Sequence, residues 1–207
     1  MSRNAIFAVR NIINHCNERG SSVFMASVDA SKAFDRVNHF RLYTSLMKRN
    51  VPIAFLNIVI NWYSKMNVMV RWNNNALSDV LRVRSGVRQG GVLSPYLFNV
   101  YADVFINNIV TRGRGCHIRQ TCMACVMYAD DLLLLSASLA GLQELLDVCV
   151  LTSSDLCLTF NEAKSHCLVI GPHCHTHLVD VFLGQKSLNW AHSIKYLGME
   201  LMAESSF

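Results

Sequence analysis

The sequence predicts an α+β fold: a mainly antiparallel sheet packed on helices, with the helices on one face. Three observations predict it. Short apolar runs at residues 23–28, 124–127 and 132–135 have the length of buried strands. Longer stretches with apolar residues three and four apart lie among them and read as helices. The runs at 124–127 and 132–135 flank Tyr128-Ala129-Asp130-Asp131, which reads as a tight hairpin with two acids at its tip.

Taken in order, residues 3–18 space Ile6, Val9 and Ile13 for a helix that Gly20 ends. A strand at 23–28 then delivers Asp29 at its C-terminal end. Helices are expected at 39–50 and 53–66, with Pro52 ending the first and opening the second. Residues 68–72 and 80–83 flank Asn73-Asn74-Asn75, a hairpin signal. Residues 84–91, Arg-Ser-Gly-Val-Arg-Gln-Gly-Gly, form a glycine-rich loop, and a helix follows from Ser94-Pro95 to Val110. After the acidic hairpin, Ser138 caps a helix with apolar positions Leu139, Leu142, Leu145, Leu146, Cys149 and Val150. A strand at 167–170 closes that unit, and the tail from Gly171 is the least periodic part of the chain.

At 207 residues, 52% hydrophobic and 16% charged, the chain is expected to build a real core, and its composition excludes disorder. No apolar run suffices to span a bilayer; the best, at residues 51–62, contains Pro52 and Asn57. No basic segment followed by an apolar one marks a secretory signal. The expectation is therefore an intracellular protein of nucleus or cytoplasm, not secreted and not in a membrane, with its eight cysteines reduced. The net charge of +5 hides an asymmetry: residues 1–119 carry 16 Lys/Arg against 5 Asp/Glu, and residues 120–207 carry 3 against 9. A basic half points to a polyanion, nucleic acid before membrane.

Asp130 and Asp131 alone read as an ordinary acidic turn. Asp29, at the end of another strand, changes the weighting. Were the two strands neighbours in one sheet, the acids would form a carboxylate cluster able to hold two divalent cations about 4 Å apart. Hard oxygen donors suit Mg²⁺, and the chemistry is phosphoryl transfer by positioning and electrostatics.

Five blocks then stand in one order: ASVDASKAFDRV at 26–37, RSGVRQGGVLSPYLFN at 84–99, YADD at 128–131, LTFNEAKS at 158–165 and IKYLG at 194–198. Together they resemble the palm of the reverse transcriptases, RNA-directed DNA polymerases, of non-LTR (LINE-type) retrotransposons. The resemblance implies a polymerase palm with a ferredoxin/RRM-like sheet at residues 21–198. Residues 1–20 would be a helix remnant from the fingers side, and 199–207 the start of a missing thumb. Two-metal nucleotidyl transfer would use Mg²⁺, with Mn²⁺ able to substitute. RNA template, DNA primer and deoxynucleoside triphosphates would be the partners.

By the same resemblance, Asp29, Asp130 and Asp131 are catalytic metal ligands, with the Ala30 carbonyl available to one ion. Phe34 is a steric gate against the 2′-hydroxyl of a ribonucleotide, beside the plainer reading of core packing. Gln89 and Gly90 line the nucleotide pocket. Arg88 touches a phosphate or is simply solvated. Lys164 is a general acid for the pyrophosphate leaving group or a surface lysine. Tyr196, Leu197 and Gly198 belong to the primer grip. The fingers and thumb of a longer polyprotein are missing on this reading, so the isolated chain is expected to extend a primer poorly.

Two alternatives remain: a catalytically inactive fragment or nucleic-acid-binding remnant, and an RNA-dependent RNA polymerase sharing the palm. Phe34 where such polymerases usually place Asp, and Ala129 where they usually place Gly, favour DNA synthesis. Cys116, His117, Cys122 and Cys125 resemble half a zinc site, and His173-Cys174-His175-x-His177 is a dense ligand tract. For both, structural zinc is the minor reading.

Overall fold

The computed structural model describes residues 2–72, 76–174 and 178–204. Asn73-Asn74-Asn75 and the histidines His175 and His177 lie outside the described residues. In chain order the elements are α1 (Ser2–Asn17), β1 (Val23–Asp29), a 3₁₀ turn (Phe34–Arg36), α2 (His39–Lys48), α3 (Ile53–Ser64), β2 (Asn67–Val68), β3 (Arg71–Trp72), β4 (Ala76–Leu77) and β5 (Leu81–Arg82). They continue with α4 (Ser94–Val110), β6 (Cys116–Ile118), β7 (Thr121–Met123), β8 (Cys125–Tyr128), β9 (Asp131–Ser136) and α5 (Leu139–Asp155). A 3₁₀ turn (Glu162–Lys164), β10 (His166–Ile170), β11 (Val181–Leu183), β12 (Lys186–Trp190), β13 (Ser193–Tyr196) and β14 (Met199–Met202) complete the chain. Two compact units result. One combines residues up to Lys32 with those from Asp103 onward, and the other is Ala33–Ala102.

The first unit holds a six-stranded sheet in the order β11-β12-β10-β1-β9-β8. Every pairing is antiparallel except β10 with β12, so the mainly antiparallel sheet is as expected. β1 lies at its centre, paired from Val23↔Ile170 to Ser27↔His166 on one side and from Phe24↔Ser136 to Asp29↔Asp131 on the other. Alternation along the strands sends Val23, Met25, Leu133 and Leu135 to one face, where Val9, Ile12 and Ile13 of α1 complete a buried cluster with Tyr196 and Leu201. Leu132 and Leu134 point to the other face and are just as buried. There α5 packs against β1, β9 and β11, presenting Leu142, Leu145, Leu146 and Cys149.

The expectation of helices on one face is thus corrected: α1 covers one side and α5 the other. The sequence carries the reason. Leu132-Leu133-Leu134-Leu135 is apolar at every position, as a strand covered twice must be, and burying each leucine contributes about 2 kcal/mol. Ser138 caps α5 as expected, its Oγ accepting from the Gly141 N–H at 3.1 Å.

In the second unit, Asn38 caps α2 by accepting from Arg41 N–H at 3.1 Å. Pro52 sits at the N-cap of α3 and so both stops the preceding turn and starts the next helix. The expected hairpin at 68–83 is two short ladders, β2 with β5 and β3 with β4.

Candidate active site

Asp29 ends β1 and Asp131 begins β9, and the two are direct partners across the antiparallel ladder. Directly paired residues share a face, so their carboxylates stand side by side. Tyr128 and Asp131 are in turn partners across β8 and β9, which leaves Ala129 and Asp130 as a two-residue turn. Ala129 holds a φ of 54° there, a left-handed conformation that costs a non-glycine residue about 1 kcal/mol.

The turn is tied to β1, because the Ala30 N–H donates to the Asp130 carbonyl at 3.1 Å. On the opposite flank, residues 159–165 are laced to the end of the same strand. The Asn161 N–H donates to the Asp29 carbonyl at 2.8 Å, the Ser31 N–H to Thr159 at 2.8 Å, and Ala30 bridges Phe160. Buried Ser165 closes this corner: its Oγ donates to the Asn161 carbonyl at 2.8 Å and accepts from the Asp29 N–H at 3.4 Å. This segment carries Lys164, exposed at the end of its 3₁₀ turn.

Among the described residues, no Lys, Arg or His forms an ion pair with Asp29, Asp130 or Asp131. Partial burial first, and then the negative charges of Asp130 and Asp29, push the Asp131 carboxyl above the usual carboxylate range. Converging oxygen donors lacking a counter-cation fit a hard divalent ion. Asp29 and Asp131 are cross-strand partners and Asp130 precedes Asp131 in the turn, while among the described residues no group of three or more His, Cys, Asp or Glu stands close enough to hold a metal ion.

The segment Tyr196-Leu197-Gly198, expected as a primer grip, divides by exposure. Tyr196 is buried, and its hydroxyl donates to the Val126 carbonyl of β8 at 3.0 Å, so it braces the strand that leads into the acidic turn. Burial first, and then Asp131 and Cys125, raise its phenol far above the ordinary value. Leu197 and Gly198, with φ of 49° and 82°, form the β13–β14 turn, and Gly198 is exposed. Cys116 and His117 fall on opposite faces of β6, the thiol in the core and the imidazole outward beside Cys122. That alternation, together with Cys125 on a separate strand, scatters the half zinc site.

In the second unit, the stretch 34–37 is stitched to the glycine-rich loop. The Val87 N–H donates to Phe34 O and the Gly86 N–H to Val37 O, both at 2.8 Å. Gly86 has a φ of 91°, and a Cβ there would lie 2.8 Å from the Asp35 carbonyl oxygen, so only glycine fits. The Phe34 ring is half-buried and stacks on Phe98 with centroids 4.6 Å apart. Gln89 Nε2 donates to the Asp35 carboxylate at 3.1 Å, and His39 Nε2 bonds the Gly86 carbonyl at 2.7 Å. A cavity of about 620 Å³ opens beside this loop, lined in part by Asp35, Asn67, Val68, Arg88 and Gln89. Gly90 is exposed, with a φ of 77°.

Asp35, His39 and Ser165 are the site-supporting residues that sequence reasoning missed. The spacing of Asp35, inside the first motif, and His39, two residues beyond its end, was the available signal.

Three comparisons bear on this geometry. Residues 2–201 match the family model for reverse transcriptase (RNA-dependent DNA polymerase). The Pol polyprotein from the type-2 retrotransposable element R2DM of Drosophila melanogaster is 27% identical over 206 residues, covering 93% of this chain and 19% of that protein. A 149 kDa protein of transposon TX1 from Xenopus laevis is 30% identical over 205 residues, covering 96% of this chain and 15% of that protein. The chain therefore spans about a fifth or less of these relatives. Apo telomerase from Candida tropicalis, truncated from its C-terminal domain, shares the fold with a TM-score of 0.70 at 12% identity, over 99% of this chain and 38% of that one.

Proposed function

The chain belongs to the reverse transcriptase family, RNA-directed DNA polymerases, and from that premise we propose that it is the catalytic palm of a retrotransposon polymerase. Its substrates on this reading are an RNA template, a DNA primer and deoxynucleoside triphosphates. The observation that carries the reading is the meeting of Asp29, Asp130 and Asp131 on adjoining strand ends with no cation among their described partners. These carboxylates, with the Ala30 carbonyl, would hold Mg²⁺ or Mn²⁺. When bound, a pair of such ions supplies an activated primer hydroxyl and neutralises charge on the departing pyrophosphate.

The chain's own residues do the positioning. The Asn161 N–H and the Ser165 hydroxyl fix the backbone of Asp29 on either side of its carboxylate. Lys164, on the same segment, protonates the leaving pyrophosphate. Phe34 excludes the ribose 2′-hydroxyl by steric overlap. Because a carboxylate can only accept, Asp35 fixes the amide of Gln89, whose carbonyl and second N–H are left for the nucleotide. Gly90 lets backbone approach, Arg88 meets a phosphate, and the Leu197-Gly198 turn meets the primer while Tyr196 holds it to β8.

Mn²⁺ titration followed by electron paramagnetic resonance tests the site. Wild type is expected to bind Mn²⁺ and the Asp130→Asn/Asp131→Asn variant to lose that binding, with Mg²⁺-dependent extension of a DNA primer on RNA lost in parallel. Equal Mn²⁺ binding by both proteins would overturn the assignment.

A further inference from the structure

Strands β2 to β5 form a two-stranded ribbon in the second unit. Its register places Val68 opposite Leu81 and Asn67 opposite Arg82 in one ladder, and Trp72 opposite Ala76 and Arg71 opposite Leu77 in the other. Two residues separate the ladders on one strand and three on the other, 69–70 against 78–80 with the pairing of Val70 to Ser78 between them; the odd residue is a bulge. Alternation then gathers Val68, Val70, Trp72, Ala76 and Leu81 on one face and Asn67, Met69, Arg71, Leu77 and Arg82 on the other.

The apolar face is open. Trp72 is 71% exposed, Val70 52%, Leu81 51% and Val68 47%. A two-stranded ribbon without a third layer is marginally stable in water, so an uncovered face of this kind marks a surface that a partner completes.

Charge selects the partner. Residues 65–88 carry Lys65, Arg71, Arg82, Arg84 and Arg88 against Asp79 alone. These cations favour a polyanion over a neutral apolar partner. Unpaired nucleobases offer flat apolar faces for stacking, and their strand brings the phosphates. The ribbon is only about 5 Å between strands, so Arg71 reaches round its edge to a strand on the apolar side, while Arg82, whose Nη2 donates to the Ser64 carbonyl at 3.1 Å, keeps its charge and remaining donors for a phosphate. Val68, at the foot of that face, is also a wall of the cavity beside Arg88 and Gln89.

We propose that the ribbon is a binding surface for single-stranded nucleic acid, with bases on Trp72, Val70 and Val68 and the strand running toward the cavity beside the glycine-rich loop. The direction of that track rests on the polymerase reading of the loop; the binding itself does not.

Fluorescence anisotropy of a labelled, mixed-sequence RNA decamer on the whole chain tests it, with the same sequence as single-stranded DNA and as duplex in parallel arms. Both single strands are expected to bind more tightly than the duplex. Trp72→Ala should weaken binding about tenfold and Trp72→Phe should largely restore it. Arg71→Ser with Arg82→Ser should lower the slope of log K against log salt by about 1.4. Wild-type affinity and slope in all these variants would overturn the proposal. So would a dimer seen by sedimentation, without nucleic acid, that Trp72→Ala dissolves, since a second copy would then own the face. Mn²⁺ titration is untouched by Trp72→Ala, so failure of the polymerase reading and failure of this one are separately visible.

Discussion

Because Asp131 is partly buried and stands between Asp130 and Asp29 with no cation among its described partners, the metal-free fold carries a desolvation cost, and then a repulsion, that a neutral amide would remove. Asp131→Asn is therefore expected to raise Tm slightly at pH 7 in chelator, because solvent screens a carboxyl this exposed. The sign follows from linkage. A carboxyl whose folded pKa is raised destabilises the fold above that pKa and is neutral below its unfolded value, so the gain should vanish as pH falls toward about 3.8. A variant stabilised equally at both pH values would place the effect elsewhere. Phe34 gives a second residue-level test. If its ring is the gate, Phe34→Val in a polymerase-competent polypeptide lowers deoxy-over-ribonucleotide selectivity in kcat/KM by a factor of about a hundred. If it is only the partner of Phe98, stability falls by roughly 2–4 kcal/mol and the ratio stays fixed. At this scale the acids were legible, since adjacent carboxylates between apolar runs are costly without a purpose. Asp35 and Ser165 were not, because their roles depend on which backbone groups of distant segments face them.

The glycine-rich loop is where element and residue constrain each other. It is held by Val37, Phe34 and His39 through backbone groups, and Gly86 sits against the Asp35 backbone with no flexible atom to yield. Gly86→Ala is expected to destabilise the chain by about 2–4 kcal/mol in chemical denaturation, combining a positive φ with a backbone clash. A loss under about 0.5 kcal/mol would mean that the loop relaxes freely. The helices and the strands β1, β9 and β10 were readable because each buries a continuous stripe or run, and half-buried β8 because it is an apolar run beside the acidic turn. The tail was not. β11 and β12 lie at the sheet's edge and bury only Val181, Leu183 and Leu188, while β13 offers just Ile194 and Tyr196 at alternate positions. Two inward side chains in a short strand fall below what periodicity can separate from a loop. The β6–β7 hairpin escaped for the same reason, with Arg119 in a left-handed turn where no Gly or Asn signals it.

Across the whole molecule, burial and charge separate between the two units. Ala33–Ala102 carries nine Lys/Arg against two Asp/Glu, while the remaining residues carry ten against twelve. The asymmetry read from the sequence halves, +11 against −6, persists on the structural boundary as +7 against −2, and the sequence does not mark that boundary because α4 runs through it. Stability should be as uneven as charge. β1, β9 and β10 hold fully buried side chains on both sheet faces and are paired on both sides or nearly so. The ribbon of β2 to β5 has no buried residue. Amide exchange should therefore span the range from global unfolding in the central strands to little protection at 67–82, where few buried contacts oppose opening. Hydrogen exchange read by mass spectrometry checks this: the peptide carrying Leu132–Leu135 should exchange last, and the peptide carrying Trp72 among the first. Adding single-stranded RNA should slow the second peptide without changing the first, because binding stabilises only the state that it contacts. A ribbon already protected without nucleic acid would show that its own two ladders suffice, and that the exposed face needs no partner.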